Sequence, residues 1–176
     1  MRIAAALVLA LIAAPALAGA DDPAQVASGF YTAEIGLHEG GIPAPKGLAR
    51  LSPFLSAGLQ QMLADADKAE LAYAENTHHA VPPLLEGDIF VSLFEGATSA
   101  RVGSCEVTGD SAVCPVDLHY DEGGGAGAHW TDRVHLTRGA NGWGVDDIAY
   151  GGNWDFGNKG TLKDALSFAI HNASGK

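Results

Sequence analysis

The sequence predicts an α+β fold: N-terminal helices packed on a curved, cone-like antiparallel β-sheet, followed by a C-terminal helix. Apolar residues recur at helical spacing up to about residue 76, whereas strand-like alternation and two glycine turns dominate between residues 105 and 149. Two cysteines flank the first of these turns, which predicts one disulfide across neighbouring strands. The chain of 176 residues is long enough for one domain with its own core.

The first twenty residues have the pattern of an export signal. Arg2 precedes an uncharged apolar run, and Ala16-Leu17-Ala18 is a small-x-small motif of the kind that signal peptidase cleaves. We therefore expect residues 1–18 to be removed, with Ala20 as a second cleavage point, which leaves a single domain over residues 19–176. Ala20 also stands where a lipoprotein carries its lipidated cysteine. The sequence thus predicts an exported protein, soluble and periplasmic, with no membrane anchor in its mature form.

The charge balance is strongly acidic. The chain has 10 Lys and Arg against 21 Asp and Glu, a net charge of −11, and loss of Arg2 with the signal peptide leaves 9 minus 21, or −12. Such a charge repels nucleic acids and anionic membrane surfaces and favours cationic partners. We expect no nucleic-acid partner, no cofactor, and a monomer or homodimer.

Two long helices are predicted before the sheet. The first begins with Asp22 as N-cap and Pro23 in the first helical position. The longest begins at Ser52-Pro53 and reaches about Asn76, after a short helical turn over residues 48–51. The predicted buried faces are Val26, Phe30, Ala33 and Leu37 in the first helix and Leu55, Leu59, Met62, Leu63, Ala66, Ala69 and Tyr73 in the longest.

The first hairpin is predicted to turn at Gly109-Asp110, because glycine in the first central position favours a type II′ turn. This register sets Cys105 opposite Cys114, in a non-hydrogen-bonded pair whose side chains approach closely. We predict a structural disulfide that stabilises the fold by about 2–3 kcal/mol. The alternatives are a redox pair and half of a metal site, but the chain has no C-x-x-C motif and no third cysteine.

A second hairpin is centred on residues 139–142, and a glycine-rich loop from Gly123 to Gly127 connects it with the first. That connection sets Asp117 opposite Arg133 as an ion pair. Before the first hairpin, residues 89–94 are predicted to form a short buried strand or anchor. After the second, Thr161 caps the final helix.

Several short motifs resemble the nuclear-transport-factor-2-like superfamily, and within it a bacterial group known as domain of unknown function 3828. The resemblance covers nearly the whole mature chain and implies a helix-covered conical sheet and an envelope location, with no established reaction. It implies a cavity between the concave face of the sheet and the helices. The motifs that carry it are Phe30-Tyr31, Glu86-Gly87-Asp88-Ile89-Phe90, Gly142-Trp143-Gly144-Val145-Asp146-Asp147-Ile148 and Thr161-Leu162.

The predicted concave face holds the candidate site residues. Asp132 is an acid in an apolar row, and burial favours the neutral form of a carboxyl group, which can then act as a general acid or base. Isomerases and dehydratases of the resembled superfamily are similar in this respect. In the alternative, Asp132 lies at the rim of the sheet, bonded to backbone or to Arg101, because a one-residue slip exposes it. The candidate ligand-binding residues are Tyr120, Trp130, Asp132 and Trp143.

Three other groups have both a structural and a functional interpretation. Glu75 and His79 are four residues apart, as metal ligands on a helix can be. A histidine cation near a helix C-terminus also stabilises the helix, which is sufficient explanation, so we predict no metal. Asp146-Asp147 predicts a β-bulge, a feature of functional sites and of strand ends alike. Trp154 and Phe156 lie between glycines and either cover the cone or form an exposed apolar surface.

The sequence favours a non-catalytic binding module over an enzyme. Its partner is predicted to be a small apolar ligand in the cone or an envelope protein at its rim. The first alternative is an isomerase- or dehydratase-type enzyme that uses Asp132. The second is an acidic inhibitor or immunity protein against a cationic cell-wall enzyme. The predicted export, the acidic charge and the lack of catalytic motifs favour this alternative.

Overall fold

The computed structural model describes residues 21–121, 123 and 127–173. The predicted signal peptide over residues 1–18, both of its cleavage points and part of the glycine-rich loop lie outside the described residues.

The described residues form four α-helices and one antiparallel sheet of five strands, which confirms the predicted α+β class and the C-terminal helix. The strands follow the order β1-β3-β4-β5, and β2 pairs with the same strand β3. The helices are α1 (Pro23–Ile35), α2 (Pro45–Leu51), α3 (Ala57–Asn76) and α4 (Leu162–Asn172), with a 3₁₀ turn at Ser52–Phe54. The strands are β1 (Ser99–Val102), β2 (Glu106–Thr108), β3 (Ser111–Tyr120), β4 (Ala128–Gly139) and β5 (Gly142–Ala149).

Helix α1 begins as predicted. The carboxylate of Asp22 accepts a hydrogen bond from the Ala24 N–H at 2.9 Å, and Pro23 occupies the first turn, where its missing N–H costs nothing. The helix buries Phe30 and Tyr31 and packs against β1 and β5. Burial of these two aromatic rings anchors the helix on the sheet.

The predicted start of the longest helix is wrong by a few residues. Ser52–Phe54 forms a separate 3₁₀ turn, Leu55 is extended, and α3 begins at Ala57. Ser56 is the true N-cap, because its Oγ accepts the Leu59 N–H at 2.9 Å. The sequence offered two serines four residues apart, and the second has the extended backbone that a cap requires.

The first hairpin and its disulfide are confirmed. Thr108 pairs with Ser111 around a turn in which Gly109 has φ +61°. Cys105 and Cys114 form a disulfide with their Cα atoms 4.1 Å apart.

The predicted register of β3 and β4 is wrong by two residues. Asp117 lies opposite Thr131, and Arg133 lies opposite Pro115. Asp117 instead forms its ion pair with Arg101 of β1, at 2.6 Å. A long connection does not fix register as a two-residue turn does. A slip of an even number of residues keeps each side chain on its own face, so the predicted faces survive the error.

The predicted β-bulge is confirmed at Asp146. His135 pairs with Asp147 and Leu136 with Val145, which leaves Asp146 as the extra residue. The bulge turns Ile148 to the buried face that Val145 also occupies.

Residues 89–93 form a buried anchor rather than a strand, and Phe94, at the end of the predicted segment, is exposed. Ile89, Val91 and Leu93 are buried, and the backbone bends through this segment without entering the sheet. Strand β1 was not predicted, because its alternating residues are only half-buried and exposed and give a weak pattern. No helix within the described ranges is long and apolar enough to span a bilayer.

Candidate functional site

The sequence-predicted site residues do not form a single cluster. Trp130 and Asp132 are adjacent on the buried face of β4, and Tyr120 is half-buried at the end of β3. Trp143 pairs with Arg138 at the other end of the sheet. Arg138 lies six positions after Asp132 in β4, a span of about 20 Å at the usual rise of a strand. The structure therefore places Trp143 in a different site from Trp130 and Asp132.

Asp132 is completely buried and both of its oxygens accept hydrogen bonds. Oδ2 accepts from the Ser92 N–H at 2.9 Å and from the Trp130 indole at 3.1 Å. Oδ1 accepts from the Gly151 N–H at 2.8 Å and from the Ser92 hydroxyl. Asp132 thus ties β4 to the anchor segment and to the loop after β5.

The loop after β5 covers this buried acid. The ring of Trp154 meets that of Trp130 edge-on, with centroids 5.2 Å apart. Gly151 must be glycine, because a Cβ there would lie 2.0 Å from the Thr131 carbonyl oxygen. Phe156 lies in the same loop and is 64% exposed. Trp154 therefore packs over the sheet, while Phe156 faces outward. The arrangement gives Asp132 a structural role, and its catalytic use stays a prediction.

Trp143 lies in a groove of about 880 Å³ between the 3₁₀ turn and the β4–β5 hairpin. We call it the hairpin groove. Apolar contributors are Val26, Pro53, Phe54, Leu55, Ala57, Ala140 and Trp143; the polar and small ones are Asp21, Gln25, Ser52, Ser56, Gly58, Gln60, Thr137, Arg138, Gly139, Asn141, Gly142, Gly144 and Asp146.

Close backbone contact builds the base of the hairpin groove. The Ser56 N–H donates to the Val145 carbonyl at 2.8 Å. A Cβ at Gly144 would lie 2.7 Å from the Ser56 nitrogen, so only glycine allows this approach. The guanidinium of Arg138 stacks over Trp143, 5.1 Å from the ring centroid. Trp143 itself is only 5% exposed, and Arg138 also lies 3.8 Å from the Asp21 carboxylate. The groove thus has a cation over a largely buried aromatic ring.

The acidic bulge residues are held by local hydrogen bonds. Asp146 accepts from the Ser56 hydroxyl at 2.7 Å and from Lys163 at 2.5 Å. Partial burial acts to raise the pKa of Asp146, but the bonds from Lys163 and Ser56 and the charge of Lys163 outweigh it and lower the pKa. Asp147 accepts from the Lys163 N–H at 3.0 Å in the first turn of α4. Both acids therefore fasten α4 to the sheet.

The structure adds one site that the sequence did not predict. Glu34 of α1 and Asp88 share a hydrogen bond at the wall of a second cavity, of about 200 Å³. We call it the acidic cavity. Its lining residues are Glu34, Ile35, His38, Glu39, Gly40, Gly87, Asp88, Phe94, Glu95, Gly96 and Ala97. A usable clue existed, because Glu34 follows Val26 and Phe30 at intervals of four and so falls on the buried face of α1.

The histidines do not mark a metal centre. Within the described ranges, no group of three or more His, Cys, Asp or Glu side chains is arranged to hold a metal ion. His78 and His79 lie in the turn after α3 and have positive φ of 54° and 56°. His129 stacks on His119 across β3 and β4, with ring centroids 4.0 Å apart.

No family model, curated protein or solved structure matches this chain. The resemblance to the nuclear-transport-factor-2-like superfamily therefore stays a prediction.

Proposed function

We propose that this protein is a non-catalytic binding module of the bacterial envelope that holds a small, mainly apolar ligand in the hairpin groove. The observation that carries the proposal is the groove itself. Its volume of about 880 Å³ falls within the roughly 300–1,000 Å³ of small-molecule sites, which are also mainly apolar with a few polar groups. Pro53, Phe54 and Ala57 supply accessible apolar surface, and Arg138 is a polar group that can orient a ligand.

Export to the periplasm is part of the proposal. The leading sequence has a signal-peptide pattern, and the Cys105–Cys114 disulfide suits an oxidising compartment. The resembled superfamily also has members with a ligand cavity beside the sheet. Here the proposed ligand lies at the end of the sheet, beside Trp143, and not at Asp132.

The two alternative functions have less support. An isomerase or dehydratase would use Asp132, but hydrogen bonds from Ser92, Trp130 and Gly151 already occupy that carboxylate. An inhibitor of a cationic enzyme would use an exposed aromatic or acidic element, and Phe156 is one such element. Phe156 is a single exposed ring, whereas the hairpin groove offers a concave apolar surface, so we favour the ligand-binding function.

The test fills the groove with a larger side chain. The protein is produced in a bacterial host and recovered from its periplasm, and mass spectrometry of that sample locates the signal-peptide cleavage point. N-phenyl-1-naphthylamine, an uncharged apolar fluorophore, is then titrated into it. Ala57 is exposed in the groove at the start of α3, so Ala57→Trp should weaken dye binding at least about tenfold, a change of ~1.4 kcal/mol.

Ala72→Trp is the matched control. Ala72 is exposed on the same helix and does not line the hairpin groove. We expect its dye affinity to equal that of the unmodified protein. Equal binding by Ala57→Trp and the unmodified protein would refute the groove as the binding site.

A further inference from the structure

The acidic cavity is independent of the hairpin groove and lies where the end of α1 meets residues 87–97. Four acids line it, Glu34, Glu39, Asp88 and Glu95, and no Lys or Arg is among the lining residues that the structure describes. A cavity with one sign of charge focuses the field and attracts ions of opposite sign. The acidity of the whole chain adds to this attraction.

Glu34 is the unusual member of this cluster. It is only 5% exposed, and its Oε2 is buried with no hydrogen-bond donor of the described protein directed at it. Burial, reinforced by the charge of Asp88 and by their mutual hydrogen bond, raises the pKa of Glu34 from 4.5 to about 10. Burial likewise raises the pKa of Asp88, against the opposing effect of its hydrogen bonds from Glu34 and Phe90. Glu34 therefore holds a proton at neutral pH and shares it with Asp88 through their hydrogen bond.

Asp88 is held rigidly in this position. Its Oδ1 accepts the Phe90 N–H at 2.8 Å, and its own N–H donates to the Phe94 carbonyl at 2.9 Å. A Cβ at Gly96 would lie 2.9 Å from Asp88 Oδ2. Gly96 has φ +93°, which favours glycine for a second reason. The glycine thus leaves room beside the carboxylate that any other residue would fill.

We propose that the acidic cavity binds a small alkylammonium ion whose N–H groups take the place of the proton shared by Glu34 and Asp88. An ammonium group has three donors, and the two carboxyl groups that line the cavity offer acceptor oxygens. The exchange balances: the cation enters with its own protons, one proton leaves for solvent, and both carboxylates then face a positive charge.

The cavity favours an organic cation over a metal ion. No group of three or more metal-ligating side chains is arranged around a metal position among the residues described. Phe94 is 41% exposed and, with Ile35 and Ala97, gives the cavity an apolar side that suits an alkyl chain. An aromatic ring also attracts an ammonium ion. The volume of about 200 Å³ equals that of about seven water molecules in the liquid, room for a short chain only.

Binding should strengthen as the pH rises, because the shared proton competes with the cation. Other titratable groups face the pair or lie close enough to influence it. Tyr31, Asp132 and Tyr150 interact with it electrostatically from α1, β4 and the end of β5. His38, Glu39 and Glu95 share the cavity wall.

The experiment is isothermal titration of the full-length mature protein with n-propylammonium chloride at about pH 7, in two buffers with different heats of ionisation. Comparing the two heats gives the number of protons released. We expect saturable binding with about one proton released per cation, and an affinity that increases between pH 6 and pH 8. Glu34→Gln and Asp88→Asn should each weaken binding at least about tenfold. Both amides keep the shape of the acid, and the amide oxygen that Asp88→Asn leaves in place can still accept the Phe90 N–H.

Glu75→Gln is the matched control, because Glu75 is exposed on α3 and lies outside the cavity. It should bind propylammonium like the unmodified protein. Absence of binding, or binding that Glu34→Gln leaves unchanged, would overturn the proposal. So would calcium or magnesium chloride binding in the cavity, abolished by Glu34→Gln, while propylammonium does not bind. None of these results bears on dye binding in the hairpin groove, which the Ala57→Trp variant tests separately.

Discussion

Asp132 and Glu34 are both buried acids in one core, and their surroundings differ completely. Asp132 is 0% exposed, and donors from three segments point at its two oxygens. Glu34 is 5% exposed, and its neighbour is a second carboxyl group rather than a donor. Both lie close enough to Tyr31 to raise the pKa of that buried phenol, although burial itself is the largest cause.

The difference shows what decides the role of a buried acid. Where backbone N–H groups and an indole surround a carboxylate, the acid joins the chain segments that supply them. Where no donor is available, the acid holds a proton and can exchange it for another cation. Asp132 therefore acts as a structural link, whereas Glu34 has unused binding capacity beside a cavity.

Asp132→Asn should have the largest effect on the free energy of unfolding. An amide replaces one acceptor oxygen by a donor, which then faces the N–H groups of Ser92 and Trp130 or that of Gly151. Buried donors without an acceptor cost about 1–3 kcal/mol each, so we expect a loss of about 3 kcal/mol in the free energy of unfolding. For a domain of this size the melting temperature should fall by roughly 10 °C. Urea and thermal unfolding followed by circular dichroism measure both.

Asp155→Asn controls for the loss of an acid from the same neighbourhood. Asp155 is exposed in the loop after β5. Its substitution should change the unfolding free energy by less than about 0.5 kcal/mol. An Asp132→Asn protein as stable as the unmodified one would show that the four hydrogen bonds carry no net stability.

Glu34→Gln should raise the free energy of unfolding at neutral and basic pH, whereas Asp132→Asn should lower it. The raised pKa of Glu34 means that the folded state keeps a proton that the unfolded state releases above pH 4.5, so stability is full below that pH and declines as the pH rises toward about 10. Glutamine has no proton to release and can still donate to Asp88. Since each pKa unit is worth about 1.4 kcal/mol, we expect a gain of at least about 1.4 kcal/mol at pH 8.

Unfolding at about pH 4 and pH 8 separates this effect from a general change in packing. The gain should vanish at the acidic pH, where Glu34 is protonated in both states. Glu75→Gln, on the exposed face of α3, should give the same difference from the unmodified protein at both pH values. If Glu34→Gln stabilised the protein equally at both pH values, the raised pKa of Glu34 would not be the cause of the gain.

The sequence predicted the fold where the relevant contacts are local. The Gly109-Asp110 turn fixed the register of the disulfide hairpin, and the Asp22 cap fixed the start of α1. The register of β3 with β4 depended on a long glycine-rich connection with no local rule, and it was wrong by two residues. Strand β1 was missed for a similar reason, because its pairing with β3 is a contact between distant parts of the chain.

The candidate site was harder to predict than the fold. Sequence spacing left two positions open for Asp132, on the buried face or at the rim, and the structure shows it fully buried. The spacing could not show that Ser92 and Gly151 supply donors from 40 and 19 residues away. Glu34 lies one turn after Phe30 but was not included in the predicted buried face of α1, and its partner Asp88 is 54 positions further on, 88 minus 34. Which buried acids find donors is therefore a property of tertiary packing.

The smallest change in the free energy of unfolding should come from breaking the ion pair of Asp117, an acid on the exposed face of the sheet. Asp117 accepts from Arg101 at 2.6 Å and from Thr131 at 3.0 Å, contacts as short as those of Asp132, but the two charged side chains are 51% and 83% exposed. Exposed ion pairs contribute only about 0–1 kcal/mol, because water solvates both charges when they separate. Arg101→Gln should therefore lower the free energy of unfolding by no more than about 0.5 kcal/mol, and high salt should remove even that difference. A loss near that of Asp132→Asn in urea unfolding would contradict the view that burial, and not bond length, sets the energetic importance of these acids.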